Sequence, residues 1–93
     1  MRAAHLELRV AASPLSCARV GFIVPKHGHD GVDRNRLKRR LRELVRTMML
    51  HELGNVDLVI RTLPVAYAQS WESLGQDIAS LIRRLPPAAV RQP

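Results

Sequence analysis

Between Arg34 and Arg46, seven of thirteen residues are arginine or lysine: Arg34, Arg36, Lys38, Arg39, Arg40, Arg42 and Arg46. A guanidinium presents paired in-plane donors that match phosphate oxygens and base edges, so this density of forks points to binding chemistry with a polyanion. The apolar residues among them are ordered. Leu37, Leu41, Leu44, Val45 and Met48 recur at i, i+4, i+7, i+8 and i+11, the stripe of one helical face. At about 100° per residue, Asn35, Arg39, Arg42 and Arg46 fall on the opposite face, with Arg36 and Arg40 on one flank and Lys38 on the other. A helix of about 25 Å is expected, one side on a core and the other carrying positive charge. Like charges at i and i+4 repel, and only Glu43 interrupts the band. A face built only for solubility mixes signs; a band this pure in sign favours nucleic acid.

Other reactive constellations are thin. His27, His29, Asp30 and Asp33 have metal-ligand types, yet their spacing matches no zinc signature and no further cluster completes a shell, so they read as a loop. The eight acidic residues, Glu7, Asp30, Asp33, Glu43, Glu52, Asp57, Glu72 and Asp77, are dispersed and do not suggest a carboxylate cluster for divalent metals. No nucleophile–base arrangement and no phosphate-cradling loop stands out. The only aromatic residues are Phe22, Tyr67 and Trp71. Phe22 and Trp71 are assigned to the core and Tyr67 to either core or surface, which argues against a ring platform for unpaired bases.

The elements that must carry the band follow from periodicity. Residues 5–10 alternate, with Leu6, Leu8 and Val10 on one side and His5, Glu7 and Arg9 on the other, as a strand with one buried face does. Pro14 breaks it, and Arg19 to Val24 forms a second strand; the short loop suggests an antiparallel hairpin. A Gly-rich loop from Pro25 to Asp33 leads into the basic helix, with Asp30 or Asp33 as its cap. The helix runs to about Leu50 or His51 and stops near Gly54-Asn55. A third strand, Val56 to Arg61, then lies parallel to the second in a βαβ unit. Ser70 caps a second helix whose apolar face is Trp71, Leu74, Ile78, Leu81, Ile82 and Leu85, and Pro86-Pro87 ends it. The fold class expected is α+β, a two-layer α/β sandwich with a sheet of three or four strands in β-β-α-β-α order. Residues 1–86 form one domain and residues 87–93 a disordered tail.

The chain of 93 residues carries 15 Lys+Arg against 8 Asp+Glu, a formal charge of +7. That is a small domain with a modest core and a preference for phosphate-rich partners or anionic surfaces. No apolar run reaches membrane-span length and no signal-like start is present, so a membrane partner is not expected and a cytoplasmic location is. The single Cys17 excludes an internal disulfide and is expected to be buried or semi-buried.

Two stretches carry a resemblance: Arg19-Val20-Gly21-Phe22-Ile23-Val24-Pro25-Lys26, and Val32-Asp33-Arg34-Asn35-Arg36-Leu37-Lys38-Arg39-Arg40-Leu41-Arg42-Glu43. They resemble the protein subunit of bacterial ribonuclease P, with the Arg-Asn-Arg run followed by Lys-Arg-x-x-Arg as signature. Asp57 to Arg61 and Ser70-Trp71-x-x-Leu74 are similar too, so the likeness spans about Leu6 to Leu85. The resemblance implies a left-handed βαβ crossover, against the usual handedness. It implies an endoribonuclease whose catalytic centre lies in its RNA, which holds Mg²⁺ and removes the 5′ leader of precursor tRNA. The protein would bind that RNA and the leader, with no catalytic side chain of its own and no protein oligomer expected. By position, RNA contacts fall on Arg34, Asn35, Arg36, Lys38, Arg39 and Arg42, with Arg46 on the same face; Lys26 and Arg61 align with basic positions near a leader cleft.

Two departures accompany the likeness. Members of that family usually begin with a basic, aromatic-bearing helix, and this chain is read as a short form that starts at the first strand, through a late start assignment or through trimming. The family's Lys-rich loop is here Lys26-His27-Gly28-His29-Asp30-Gly31, less basic and partly acidic. A general RNA-binding module that shares only the basic helix is the rival reading, and a stand-alone nuclease the third.

Overall fold

The computed structural model describes residues 1–91, and within them the element order is β1 (Leu6–Ala12), β2 (Arg19–Ile23), α1 (Gly31–Leu44), β3 (Val56–Thr62) and α2 (Trp71–Arg83). The three strands form one mixed sheet in the order β1-β3-β2. β1 runs antiparallel to β3, with Leu8 opposite Ile60 and Val10 opposite Leu58. β2 runs parallel to β3, with Val20 opposite Leu58 and Phe22 opposite Ile60.

The expected parallel pairing of β2 and β3 is present, but the expected β1–β2 hairpin is not: β3 lies between them. Residues 13–18 are enough chain to cross two strand spacings, about 10 Å, so a short loop does not by itself force neighbours to pair. β3 suits the central place because its alternate residues Val56, Leu58, Ile60 and Thr62 are all buried. Cys17 rides on this crossing loop and is exposed, contrary to its expected burial.

One face of the sheet meets both helices. Leu6 and Leu8 from β1 and Leu58 and Ile60 from β3 join Leu37, Leu41 and Leu44 of α1 and Leu74, Ile78 and Leu81 of α2 in a single core. On the opposite face the sheet is open, with Arg9, Arg19, Gly21, Ile23 and Arg61 exposed. Asp30 is the N-cap of α1, its carboxylate accepting the Asp33 N–H at 2.9 Å. Beyond Leu44 the helix widens into a π turn over Val45–Met49 and closes in a tight 3₁₀ turn over Leu50–Glu52. The added residue per turn shifts the phase of the stripe, so Met49 is fully buried and the expected Met48 only half.

Ser70 caps α2 as expected, accepting the Ser73 N–H at 3.1 Å. The buried face of α2 starts one turn later than expected, at Leu74; Trp71 is 44 % exposed and Phe22 only half-buried. The tail expected to be disordered begins at residue 87, and residues 87–91 are placed against the body of the chain. Pro87–Ala89 form a short turn with Ala89 buried, and the chain pairs back on the end of the α1 segment: Gly54 N–H donates to Ala89 O at 2.9 Å and Arg91 N–H to Glu52 O at 2.7 Å. Apolar Ala89 and Val90 cover the stop of that segment; the remainder of the expected tail lies outside the described residues.

Candidate nucleic-acid interface

The interface begins with the periodicity of α1. Because Leu37, Leu41 and Leu44 are held in the core, the side chains about 180° away must face outward. Asn35, Lys38, Arg39 and Arg42 line one shallow groove of about 360 Å³. Among the described residues Lys38, Arg39 and Arg42 have no ion-pair partner, so their charge is available to an incoming anion.

The remaining expected residues are placed differently. Arg34 is half-buried and its Nε donates to the Val24 carbonyl at 2.7 Å, tying α1 to the chain leaving β2. Its hydrogen-bonding role is structural at that atom. Arg46 forks onto Glu43, with Nε donating at 3.0 Å and a second donation from its terminal nitrogen. The guanidinium holds the Glu43 carboxyl below its usual range, mainly through the hydrogen bond, and Glu43 in turn raises Arg46. Arg46 thus carries its counter-charge with it. Arg36 leaves the groove and turns to the other flank, where it lines a pocket with Arg40, Leu37, Asp33, His29 and Tyr67. Lys26 is exposed just beyond β2, and Arg61 lies on the open face of the sheet, paired in register with Ile23 and Glu7. Those two stand at one end of the sheet and are separate from the helical groove.

Several polar arrangements were not legible as motifs. The Asp77 carboxylate, buried on α2, accepts the His5 N–H at 3.0 Å and lies 2.7 Å from His5 Nδ1, joining β1 to α2 across 72 residues. On the open face Arg19 makes a two-pronged pair with Asp57, Nε donating at 2.9 Å and the terminal nitrogen at 2.6 Å, and this hydrogen bond holds the Asp57 carboxyl below its usual range. The Tyr67 hydroxyl donates to Pro25 O at 2.7 Å, and burial pushes its phenol upward. No pattern of spacing announced these contacts, since each joins elements far apart in the chain.

Among the described residues no three His, Cys, Asp or Glu side chains come together as a metal-binding group. Among them, too, no helix is long and apolar enough to cross a membrane. What the surface can do chemically is bind phosphates: free cations on a rigid helix, the positions fixed by a packed apolar stripe.

Comparison with known proteins gives the family and the fold. The family model described as Ribonuclease P matches residues 1–86. The ribonuclease P protein component of Kocuria rhizophila is 41% identical over 71 residues, covering 72% of this chain and 63% of that protein. The corresponding component of Salinispora tropica is 41% identical over 76 residues, covering 82% of this chain and 52% of its own length. The chain therefore spans between half and two thirds of the length of these curated relatives. Among solved structures, the RNase P protein from Thermotoga maritima superposes with a TM-score of 0.80 at 17% identity, over 92% of this chain and 82% of that one. That of Staphylococcus aureus gives 0.79 at 17% identity, over 89% of this chain and 76% of that one. At such identity the superposition shows a shared α+β fold.

Proposed function

The chain belongs to the ribonuclease P protein family, and from that premise we propose that it is the RNA-binding, non-catalytic subunit of a tRNA-processing endoribonuclease. The observation that carries the proposal is the groove of Asn35, Lys38, Arg39 and Arg42, whose three cations have no acidic partner among the described residues, on a chain whose family match covers residues 1–86. In this reading the groove binds the catalytic RNA by its phosphates, with Arg36 adding positive charge on the other flank of α1 and Arg34 setting the helix angle through Val24 O. The precursor-tRNA 5′ leader lies at the end of the sheet marked by Lys26 and Arg61. In this reading Mg²⁺ belongs to the RNA partner; among the described residues no three His, Cys, Asp or Glu side chains come together as a group that could hold a metal ion.

The chain's contribution is electrostatic and positional. Cations on a helix locked to a core cost little reorganisation when an RNA backbone arrives, and they lower the repulsion between catalytic RNA and substrate RNA. A protein that relieves this repulsion lets the RNA work with fewer counterions. The test is cleavage of precursor tRNA by the matching catalytic RNA at low Mg²⁺, with and without this protein. Stimulation is expected. Tight binding of the RNA without stimulation would remove the leader-binding part of the proposal, and neither binding nor stimulation would remove the whole.

A further inference from the structure

On the flank of α1 away from the groove, the fold assembles rings that lie far apart in the sequence. His29 and Tyr67 stack face to face, with centroids 3.9 Å apart and planes within 5°. His27 meets the same Tyr67 edge-on at 6.5 Å. The loop reaches this position by a turn through the left-handed region at His27 (φ 47°) and Gly28 (φ 85°), the second of which suits glycine. The stack is held at both ends. Tyr67 donates to Pro25 O at 2.7 Å, the His29 N–H donates to Lys26 O at 2.8 Å, and His29 Nδ1 lies 3.2 Å from the Asp33 carboxylate.

Beside the rings is a pocket of about 120 Å³ walled by Arg36 and Arg40. These two guanidinium groups are one helical turn apart, where like charges repel, and among the described residues neither has an ion-pair partner. The His29 side chain, stacked on Tyr67 by one face, remains 40 % exposed and so keeps ring surface open to a ligand. A π face suits an unpaired base of any sequence. The paired arginines suit a phosphate. Asp33 disfavours a bare polyanion filling the pocket and accepts from an exocyclic amine, which favours a whole nucleotide over inorganic phosphate.

We propose that His29, Tyr67, Arg36 and Arg40 form a station for one unpaired RNA nucleotide, its base stacked on His29 and its phosphate held by the two arginines. This rests on the reading of the chain as an RNA-binding protein and adds to it a contact that reads single-stranded character. Duplex RNA hides its base faces, so the station selects an unstacked residue.

The experiment compares two probes of equal charge on the full chain: pentacytidylate, whose bases carry the exocyclic amine, and the same ribose-phosphate backbone with every base removed. The unaltered protein is expected to prefer the base-bearing probe by about fivefold or more. His29→Ala brings that ratio close to one while leaving the salt dependence of binding unchanged. Arg36→Ala lowers the salt dependence and keeps the preference. Tyr67→Phe, which retains the ring, keeps it too. A ratio near one for the unaltered protein overturns the station. So does an equal loss on both probes in His29→Ala with a lowered melting temperature, for then the stack only pins the loop. Binding of the catalytic RNA by the same preparation separates this failure from failure of the RNA-binding reading itself.

Discussion

Replacing Arg39 and Arg42 together by alanine tests the arginine groove most sharply, because the structure says which cations are free to act. Both side chains are exposed and, among the described residues, without an ion-pair partner, so the double variant is expected to fold with stability within about 0.5 kcal/mol of the unaltered chain. Each phosphate contact contributes about 0.9 to the slope of log K against log salt on duplex RNA-like partners and about 0.7 on single strands, so the variant loses about 1.4 to 1.8 in slope. Over a fourfold rise from about 50 to about 200 mM salt, the advantage of the unaltered protein narrows by about seven- to twelvefold. Arg46→Ala is expected to do much less, since Glu43 already neutralises that guanidinium. Glu43→Gln reverses the sign: it releases Arg46 and strengthens RNA binding, most at low salt. The assay is fluorescence anisotropy of labelled catalytic RNA across a salt series. Parallel lines for the double variant and the unaltered chain would refute the assignment of this groove to phosphate, and a weakened Glu43→Gln would refute the account of Arg46.

Three further outcomes follow from packing and charge. Asp77→Ala leaves His5 without its buried partner and is expected to cost about 3 kcal/mol in urea denaturation, with Asp77→Asn costing less because it can still accept the His5 N–H. Thr62 is wholly buried and its hydroxyl has no hydrogen-bond partner among the described residues, so Thr62→Val is expected to stabilise by about 1 kcal/mol, seen as a rise of about 4–8 °C in melting temperature. The Asp57 carboxyl sits below its usual range in the folded chain, so the Arg19 pair contributes fully above the unfolded carboxylate pKa and is lost as pH falls through the lower folded value. Asp57→Asn is therefore expected to flatten the acid limb of the stability profile, as followed by circular dichroism; an unchanged limb would show the pair to be inert.

Much of this surface could be read from spacing alone. The stripe Leu37, Leu41, Leu44 and Val45 is buried as its periodicity requires, and the cations opposite it are outward for the same reason. Asp30 and Ser70 cap their helices because a short polar side chain before an amphipathic run has orphan N–H groups within reach. The parallel pairing of β2 with β3 followed from a helix lying between them. Spacing failed at Met48 and Met49, where a π turn changes the period, and at Trp71, an apolar residue one turn before the helix reaches its core. The contacts of residues 87–91 with Leu53 and Gly54 carried no periodic signal in the sequence.

By itself the sequence determined the charged helix, its caps and the two-layer class, because helical period and capping act over four or five residues. Only the tertiary structure decided that β3 would sit between β1 and β2, that His5 would meet Asp77, and that His29 would stack on Tyr67. Those neighbours are chosen when strands and helices compete for one apolar face, and that contest compares the whole chain at once. The same contest sorted the arginines of the basic band: Arg34 is tied to Val24 O and Arg46 to Glu43, while among the described residues Arg36, Arg39, Arg40 and Arg42 have no ion-pair partner.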